Sequence, residues 1–266
     1  MTEPFLKWAG GKRWLANSSQ LPRPKNFSRY LEPFLGGAAI FFHLRPERAV
    51  LSDVNAELIE LYVTIRDHPD RLMELMLVHH HSHNPEYYYN MRASIPNDSV
   101  SRAARTMYLN RTCWNGLYRV NLKGVFNVPI GTKSSVIFDH DDFHGVSKRL
   151  AAAEIRCCDF EETVNEAQDG DFLFVDPPYT VRHNMNGFIK YNENIFSWND
   201  QVRLRDAVAN AVGRGASVVV TNADHDSVRE LYKDIFRYTS VSRASVLASE
   251  SARRGKTTEA LFSANI

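Results

Sequence analysis

Hydrophobic residues in this chain gather into short solid runs set between longer stretches of helical spacing. The most compact run is Phe172-Leu173-Phe174-Val175, opened by Asp171 and closed by Asp176-Pro177-Pro178-Tyr179. A run without polar alternation fits a strand covered on both faces, as in a parallel sheet. Proline cannot donate to a ladder, so the strand stops at Pro177 and the turn beyond it is stiff. Similar runs predict strands at Tyr30–Phe34, Ala49–Asn55, Glu154–Asp159 and Ala216–Asn222, and an antiparallel pair at Phe236–Ser242 and Glu259–Phe262.

Helical spacing fills the intervals. A glycine-rich turn, Leu35-Gly36-Gly37-Ala38-Ala39, leads into a helix at Ile40–Leu44, the first half of a Rossmann-like unit without a dehydrogenase fingerprint. Ala56 to Ser82 is helical, with Leu58, Ile59, Leu61, Tyr62 and Ile65 on one face and Leu72, Met73, Leu75 and Met76 on another. Further helices are predicted around Tyr87–Met91 and over Asp139–Ala153, Asn199–Val212 and His225–Lys233. Strands alternating with helices imply an α/β class with a doubly wound sheet. Residues 56–138 interrupt that alternation. They read as a mostly helical insertion with a β-hairpin running to Gly131, its tip at Lys123-Gly124. The expected division is 1–55 with 139–266 for the sheet domain and 56–138 for the insertion.

Candidate chemistry clusters at the strand ends. In open α/β sheets, ligands bind at the carboxyl ends of the strands. Asp176 and the Pro177 carbonyl are acceptors, and Tyr179 offers a flat face. Together they suit a planar ring bearing an amino group, such as adenine or cytosine; the alternative is a strand that merely ends in a proline turn. Asp53 lies about 20 residues past the glycine turn and suits a ribose hydroxyl pair, or caps the next helix. Asp159 either caps the next helix or stands where an adenine-binding carboxylate could sit. At Phe5–Leu15, Gly10 and Gly11 precede a short helix, with Lys7, Lys12 and Arg13 close by. The segment is either a lip for an anionic ligand or a charged surface turn. It lacks the spacing of a nucleotide-hydrolase phosphate loop.

The insertion interleaves Arg102, Arg105, Arg111 and Arg119 with Tyr108, Trp114 and Tyr118. Arginine, asparagine and exposed aromatics read base edges and wedge base stacks; the alternative is a charged face over an aromatic core. His79, His80, His81 and His83 have no acid or cysteine at ligand spacing, so a solvated helix end is expected rather than a metal site. Asn184 to Asn194 reads as a mobile loop closed by Phe196 and Trp198, either of which could shield a bound base. Arg243 to Thr258, holding Arg253, Arg254 and Lys256, reads as a flexible connector.

Composition narrows the setting. The chain has 266 residues, 44% hydrophobic and 24% charged, with a net charge of +1. A length of this order supports a large core without staples, and a near-neutral balance means that a nucleic-acid partner must be met by local clusters. The three cysteines include the adjacent Cys157 and Cys158, which is no disulfide framework. Without a leader or a membrane-length apolar run, the expectation is a soluble cytoplasmic protein.

Six motifs then stand in a recognisable order: Phe5–Lys12; Glu32-Pro33-Phe34 with its glycines; Ser52-Asp53-Val54-Asn55; Asn115-Gly116-Leu117-Tyr118-Arg119; Phe126-Asn127-Val128-Pro129-Ile130-Gly131; and Asp176-Pro177-Pro178-Tyr179. Over nearly its whole length the chain resembles the Dam-type DNA adenine methyltransferases. That resemblance implies a Rossmann-like methyltransferase sheet with an inserted target-recognition domain. It also implies S-adenosyl-L-methionine as cofactor, double-stranded DNA as partner, and transfer of a methyl group to the exocyclic amine of a flipped adenine. By motif, Trp8, Lys12, Asp53 and Asp176 match cofactor contacts, as do Glu32, Phe34 and Gly36 beside its methionine end; Asp159 joins this set. Asp176 and Pro177 match the acceptors for the target amine, with Pro178 between them and Tyr179, the stacking platform. Lys7, Trp114, Asn115 and Arg119 match DNA-facing positions, joined by Arg111, Tyr118, Pro129 and Lys133. The best-known branch reads GATC and has a basic residue directly after the Val-Pro-x-Gly turn; this chain has Thr132 there and then Lys133. The resemblance implies no metal and no membrane partner, a monomer or weak dimer, and a bacterial or phage origin. Rival readings are an RNA adenine methyltransferase and a DNA-binding relative without catalysis.

Overall fold

The computed structural model describes residues 4–121, 124–181, 196–244 and 256–266. Strand β4 (Asp171–Val175) is buried at every position, and it pairs in parallel with β1 (Arg29–Glu32) on one side and β5 (Ser217–Ala223) on the other. This is why its sequence shows no alternation: neither face meets water. The single charge in the strand, Asp171, stands at its start and is paired with Arg29 of β1 at 2.7 Å. Strand β2 (Ala49–Asp53) runs parallel to β1. With β3 (Ala153–Cys157), β6 (Arg237–Ala244) and β7 (Lys256–Ala264) the strands make one seven-stranded sheet in the order β3-β2-β1-β4-β5-β7-β6. The last two strands are the expected antiparallel pair, and β7 also lies antiparallel to β5. The connector predicted at Arg243–Thr258 is therefore strand at both of its ends; Arg253 and Arg254 lie outside the described residues, as does the 184–194 loop.

By contact density the chain divides into two compact units: 1–13 with 35–47 and 52–157, and 14–34 with 48–51 and 158–266. In the second unit, Leu173, Val175, Val218, Val220 and Phe262 from the sheet meet Leu204 and Val208 of α9 (Trp198–Gly213). Ser197 and Asp200 form a reciprocal capping box that starts α9. Short helices α8 (Phe160–Asn165) and α10 (Asp226–Tyr232) add Val164 and Tyr232 to the same core.

The first unit holds α2 (Ala39–Leu44), α3 (Ala56–Asp67), α4 (Pro69–Ser82), α5 (Pro85–Ala93), α6 (Ser99–Thr112) and α7 (Phe143–Leu150). The helix predicted over 56–82 is two helices, because Pro69 cannot continue α3 but can occupy the first turn of α4. The helix predicted over Asp139–Ala153 is confined to α7, whose cap is Asp142. The histidines are a solvated helix end only in part: His81 is exposed, whereas His79, His80 and His83 are engaged by neighbouring side chains or backbone. His79 is buried, stacks on Tyr108 and is hydrogen-bonded to the Tyr87 hydroxyl at 2.8 Å. Its burial pushes its pKa down to about 4, so it is neutral. His83 is hydrogen-bonded to the Tyr108 hydroxyl at 2.8 Å, and His80 accepts from the Val136 amide.

Two arginines of α6 also depart from expectation. Arg105 is buried and donates to the carbonyls of Met91 and Arg92. Arg111 is buried against Phe138 and donates to both oxygens of Asp141, at 2.5 and 2.7 Å, and to the Val136 carbonyl. A guanidinium held in this way serves the fold, which corrects the expectation that Arg111 contacts DNA. The hairpin is present as isolated antiparallel bridges, Cys113 to Ile130 and Val120 to Phe126. At its tip Gly124 has φ +74°; Lys123 lies outside the described residues. Among the described residues, no helix is long and apolar enough to cross a membrane.

Replacing Asp141 by alanine strands a buried guanidinium. The expected loss of stability is about 3–5 kcal/mol, read from the shift of the urea-unfolding midpoint, and a midpoint unchanged from wild type would contradict the structural role of Arg111.

Candidate active site

The second unit contains the Asp176-Pro177-Pro178-Tyr179 turn, which leaves the carboxyl end of β4. Three buried supports hold it. The Thr221 hydroxyl, at the end of β5, donates to Asp176 Oδ1. Gln201 Nε2 of α9 donates to the Pro178 carbonyl at 3.3 Å, and Asn222 Nδ2 in turn donates to Gln201 Oε1 at 3.0 Å. Both amides are fully buried, so this is a linked network rather than a surface contact. The Tyr179 hydroxyl donates to Glu259 Oε2 on β7 at 2.8 Å. Burial first, then the charges of Asp176 and Glu259, raise the Tyr179 phenol well above its ordinary value and keep it neutral.

At the neighbouring strand end, Glu32 is buried and accepts from the Tyr30 hydroxyl at 2.9 Å. Phe34 stacks on Phe160 with centroids 5.4 Å apart and meets Phe196 edge-on. Phe196 is thus a buried core ring, not a free shield for a base; Trp198 packs partly buried against the same core. Asp159 caps α8 by accepting from the Glu161 amide at 3.0 Å, and it pairs with Arg203 at 3.0 Å.

In the first unit, Asp53 ends β2. One oxygen accepts from the Gly36 amide at 3.1 Å and the other from the Asn55 amide at 3.0 Å. The cap of α3 is Asn55, which accepts from Leu58 at 3.1 Å, so the capping alternative for Asp53 falls away. Burial raises the Asp53 carboxyl above its usual value despite these bonds. Gly36 has φ +45°, and a Cβ there would stand 2.9 Å from the Trp8 ring. Only glycine allows both that backbone and that approach. Trp8 stacks on Tyr118 with centroids 5.1 Å apart, and the Tyr118 hydroxyl donates to Glu57 at 3.0 Å. Tyr118 is half-buried, braced through both its ring and its hydroxyl. Lys12 is buried, and its ammonium donates to the Gly10 carbonyl at 2.7 Å.

Trp114, Asn115, Arg119, Pro129, Lys133 and Lys7 are exposed. Trp114, Asn115 and Gly116 form a single 3-10 turn in which Asn115 and Gly116 have φ +57° and +64°. The turn is tied to the Val128–Gly131 segment by Trp114 N–H to the Pro129 carbonyl and Gly131 N–H to the Thr112 carbonyl. Asn110 binds Lys7 on both backbone groups, accepting at 3.2 Å and donating at 2.8 Å. A Cβ on Gly116 would stand 2.7 Å from the Lys7 stem. One buried amide and one glycine thus fix Lys7 against the Trp114–Gly116 turn. Arg119 donates to Asn127 Oδ1 at 3.2 Å.

Asn110, Thr221, Gln201 and Glu259 were not singled out by the sequence. Thr221 and Asn222 show there only as the polar end of a strand. Glu259 carries a faint signal, an acid set directly against the apolar Ala260-Leu261-Phe262.

A family model described as the D12 class N6 adenine-specific DNA methyltransferase matches residues 8–247, and the chain belongs to that family. Among similar proteins, the type II methyltransferase M1.LlaDCHI of Lactococcus lactis is 41% identical over 96% of this chain and 93% of its own length. The type II methyltransferase M.MjaIII of Methanocaldococcus jannaschii is 36% identical over 83% and 84%. The DNA adenine methylase of Haemophilus influenzae is 31% identical over 98% and 94%. The chain is thus a methyltransferase whose substrate is adenine in DNA.

Burial first, and then the positive charge of Lys133, hold the Lys7 ammonium below the ordinary lysine value. Amine acylation at Lys7, followed by mass spectrometry against pH, is expected to begin at lower pH than at freely exposed lysines. In Lys133→Ala the onset is expected to move upward; an onset that does not respond would separate the two charges.

Proposed function

We propose that the chain transfers the methyl group of S-adenosyl-L-methionine to the N6 amine of an adenine flipped out of double-stranded DNA. The observation that carries this reading is the Asp176-Pro177-Pro178-Tyr179 turn, an acceptor pair and an aromatic ring pinned by buried side chains at the end of a core strand.

The side chains fit the cofactor. It bears a cationic sulfonium, an ammonium, a carboxylate and a ribose diol. Asp53 sits beside the backbone of a glycine that tolerates no side chain, which suits the diol. Glu32, Asp159 and Asp176 offer negative charge, Lys12 offers an ammonium for a carboxylate, and Trp8 and Phe34 offer apolar faces. By their motifs, Trp8, Lys12, Glu32, Phe34, Gly36, Asp53, Asp159 and Asp176 are each proposed as cofactor residues. When bound, S-adenosyl-L-methionine supplies an electrophilic methyl group on sulfur.

The amine of adenine is a weak nucleophile because its lone pair is delocalised into the ring. Asp176 and the Pro177 carbonyl accept its two N–H bonds, which draws the nitrogen towards tetrahedral geometry and aims the lone pair. Tyr179 stacks on the ring and offsets part of the few kcal/mol that extrusion from the helix costs. The contribution of the chain is positioning and fixed dipoles. Residues 56–138 are the proposed target-recognition insertion. Lys7, Trp114, Asn115, Arg119, Pro129 and Lys133 face DNA, and the segment around Lys133 governs the short site read, with GATC the first to try.

Incubation with methyl-labelled S-adenosyl-L-methionine is expected to label duplexes that hold one particular adenine-containing site; the absence of label from every adenine-containing duplex would refute the reading. Asp176→Ala is expected to abolish labelling while duplex binding persists in a gel-shift measurement. Arg119→Ala is expected to cost about 1–3 kcal/mol at the cognate site if it reads a guanine. An equal loss on all sequences would make it a phosphate contact.

A further inference from the structure

Glu259 is 3% exposed, on a strand whose next three residues, Ala260, Leu261 and Phe262, are buried. A carboxylate in such a place is costly unless a specific partner answers it. One partner is the Tyr179 hydroxyl at 2.8 Å, from a residue 80 positions earlier in the chain, a hydroxyl that the Thr221 side chain also hydrogen-bonds. The strand holds Glu259 firmly: it pairs with Ala223 of β5 on one side and Val241 of β6 on the other.

The backbone around Tyr179 is fixed independently. The Pro178 carbonyl is held by Gln201, and the Thr180 hydroxyl donates to the Phe196 carbonyl at 2.6 Å. A tyrosine ring turns about two side-chain torsions. With its backbone pinned, a bond at the para hydroxyl fixes what freedom remains, so the plane of the ring is set before any base arrives. Such preorganisation removes an ordering cost from the step that needs the ring.

We propose that Glu259 is a positioning residue for methyl transfer, setting through the Tyr179 hydroxyl the plane of the ring on which the flipped adenine stacks. The inference rests on the reading of Tyr179 as the stacking platform. It gives the hydroxyl an anchoring role and leaves the acceptor role towards the amine to Asp176 and Pro177.

The test uses the full chain and the duplex that the wild-type protein labels, both as it stands and with 2-aminopurine at the methylated position. Tyr179→Phe and Glu259→Leu are each expected to lower kcat about ten-fold, the order of one lost hydrogen bond, with the duplex Kd unchanged. In both variants the emission of the flipped 2-aminopurine is expected to rise above its wild-type level as stacking loosens. The double variant should be no worse than either single one, and Glu259→Gln, whose amide oxygen can accept the phenol proton, should recover most of kcat. Wild-type kcat and emission in Tyr179→Phe would overturn the proposal, and this variant keeps the test open if Glu259→Leu fails to fold. Additive losses in the double variant would overturn it as well, since the carboxylate would then act apart from the tyrosine. Tyr179→Ala separates the layers: wild-type kcat and emission there would sink the platform reading itself, whereas a large loss there beside a silent Tyr179→Phe would sink the anchoring role of Glu259 alone.

Discussion

The bond from the Thr221 hydroxyl to Asp176 stands for the constraint on which the second unit is built. A strand buried on both faces ends in a carboxylate and two prolines, and every polar group delivered there needs a partner within the core. β5 supplies Thr221 and Asn222, α9 supplies Gln201, and β7 supplies Glu259. In a low-dielectric setting these bonds are strong and their loss is costly, so the network is rigid in proportion to its completeness. Catalysis that works by positioning needs that rigidity. The placement of β7 antiparallel between β5 and β6 brings an acid from near the end of the chain to the turn after β4.

The other unit solves a different problem with the same means. Exposed side chains must be presented on backbone that would otherwise be loose. Asn110 replaces a strand partner for Lys7 by bonding both of its backbone groups, and Gly116 leaves room for the lysine stem. Trp8, Tyr118 and Glu57 form a stacked and hydrogen-bonded chain behind Asn115 and Arg119. Arg111 and Asp141 anchor the end of α6, the helix from which the Trp114–Gly116 turn departs. The charged residues in this unit thus divide into buried ones that hold the backbone, such as Arg105 and Arg111, and exposed ones such as Lys7, Arg119 and Lys133.

Much of this was legible from residues alone. The solid run Phe172–Val175 announced a strand covered on both faces, and Pro177-Pro178 announced its end. The glycine turn before α2 and the acid at the end of β2 were readable because few residue types satisfy those positions. What the sequence could not separate was a buried arginine from an exposed one. Arg111 and Arg119 look alike in a segment rich in both charge and aromatic residues, and only the position of Asp141, 30 residues on, decides between them. His79 and His83 misled for the same reason: a polar run at a helix end is solvated unless tyrosines from elsewhere cover it, as Tyr87 and Tyr108 do. Asp53 is open in the sequence to a ligand role or a cap, and the structure gives the cap to Asn55. The supports Asn110, Gln201 and Glu259 act over long sequence separations, and of these only Glu259 carries even a faint local signal.

The central claim is that a pinned acceptor pair methylates adenine, and only at a short DNA site. The most direct measurement is a genome-wide map of modified bases in a methylation-free host that expresses the chain, set beside the same host expressing Asp176→Ala. The predicted result is N6-methyladenine confined to one short sequence in the first host and absent from the second. Methyl groups on another base, methylation spread over adenines without regard to sequence, or an unchanged map in the Asp176→Ala host would contradict it.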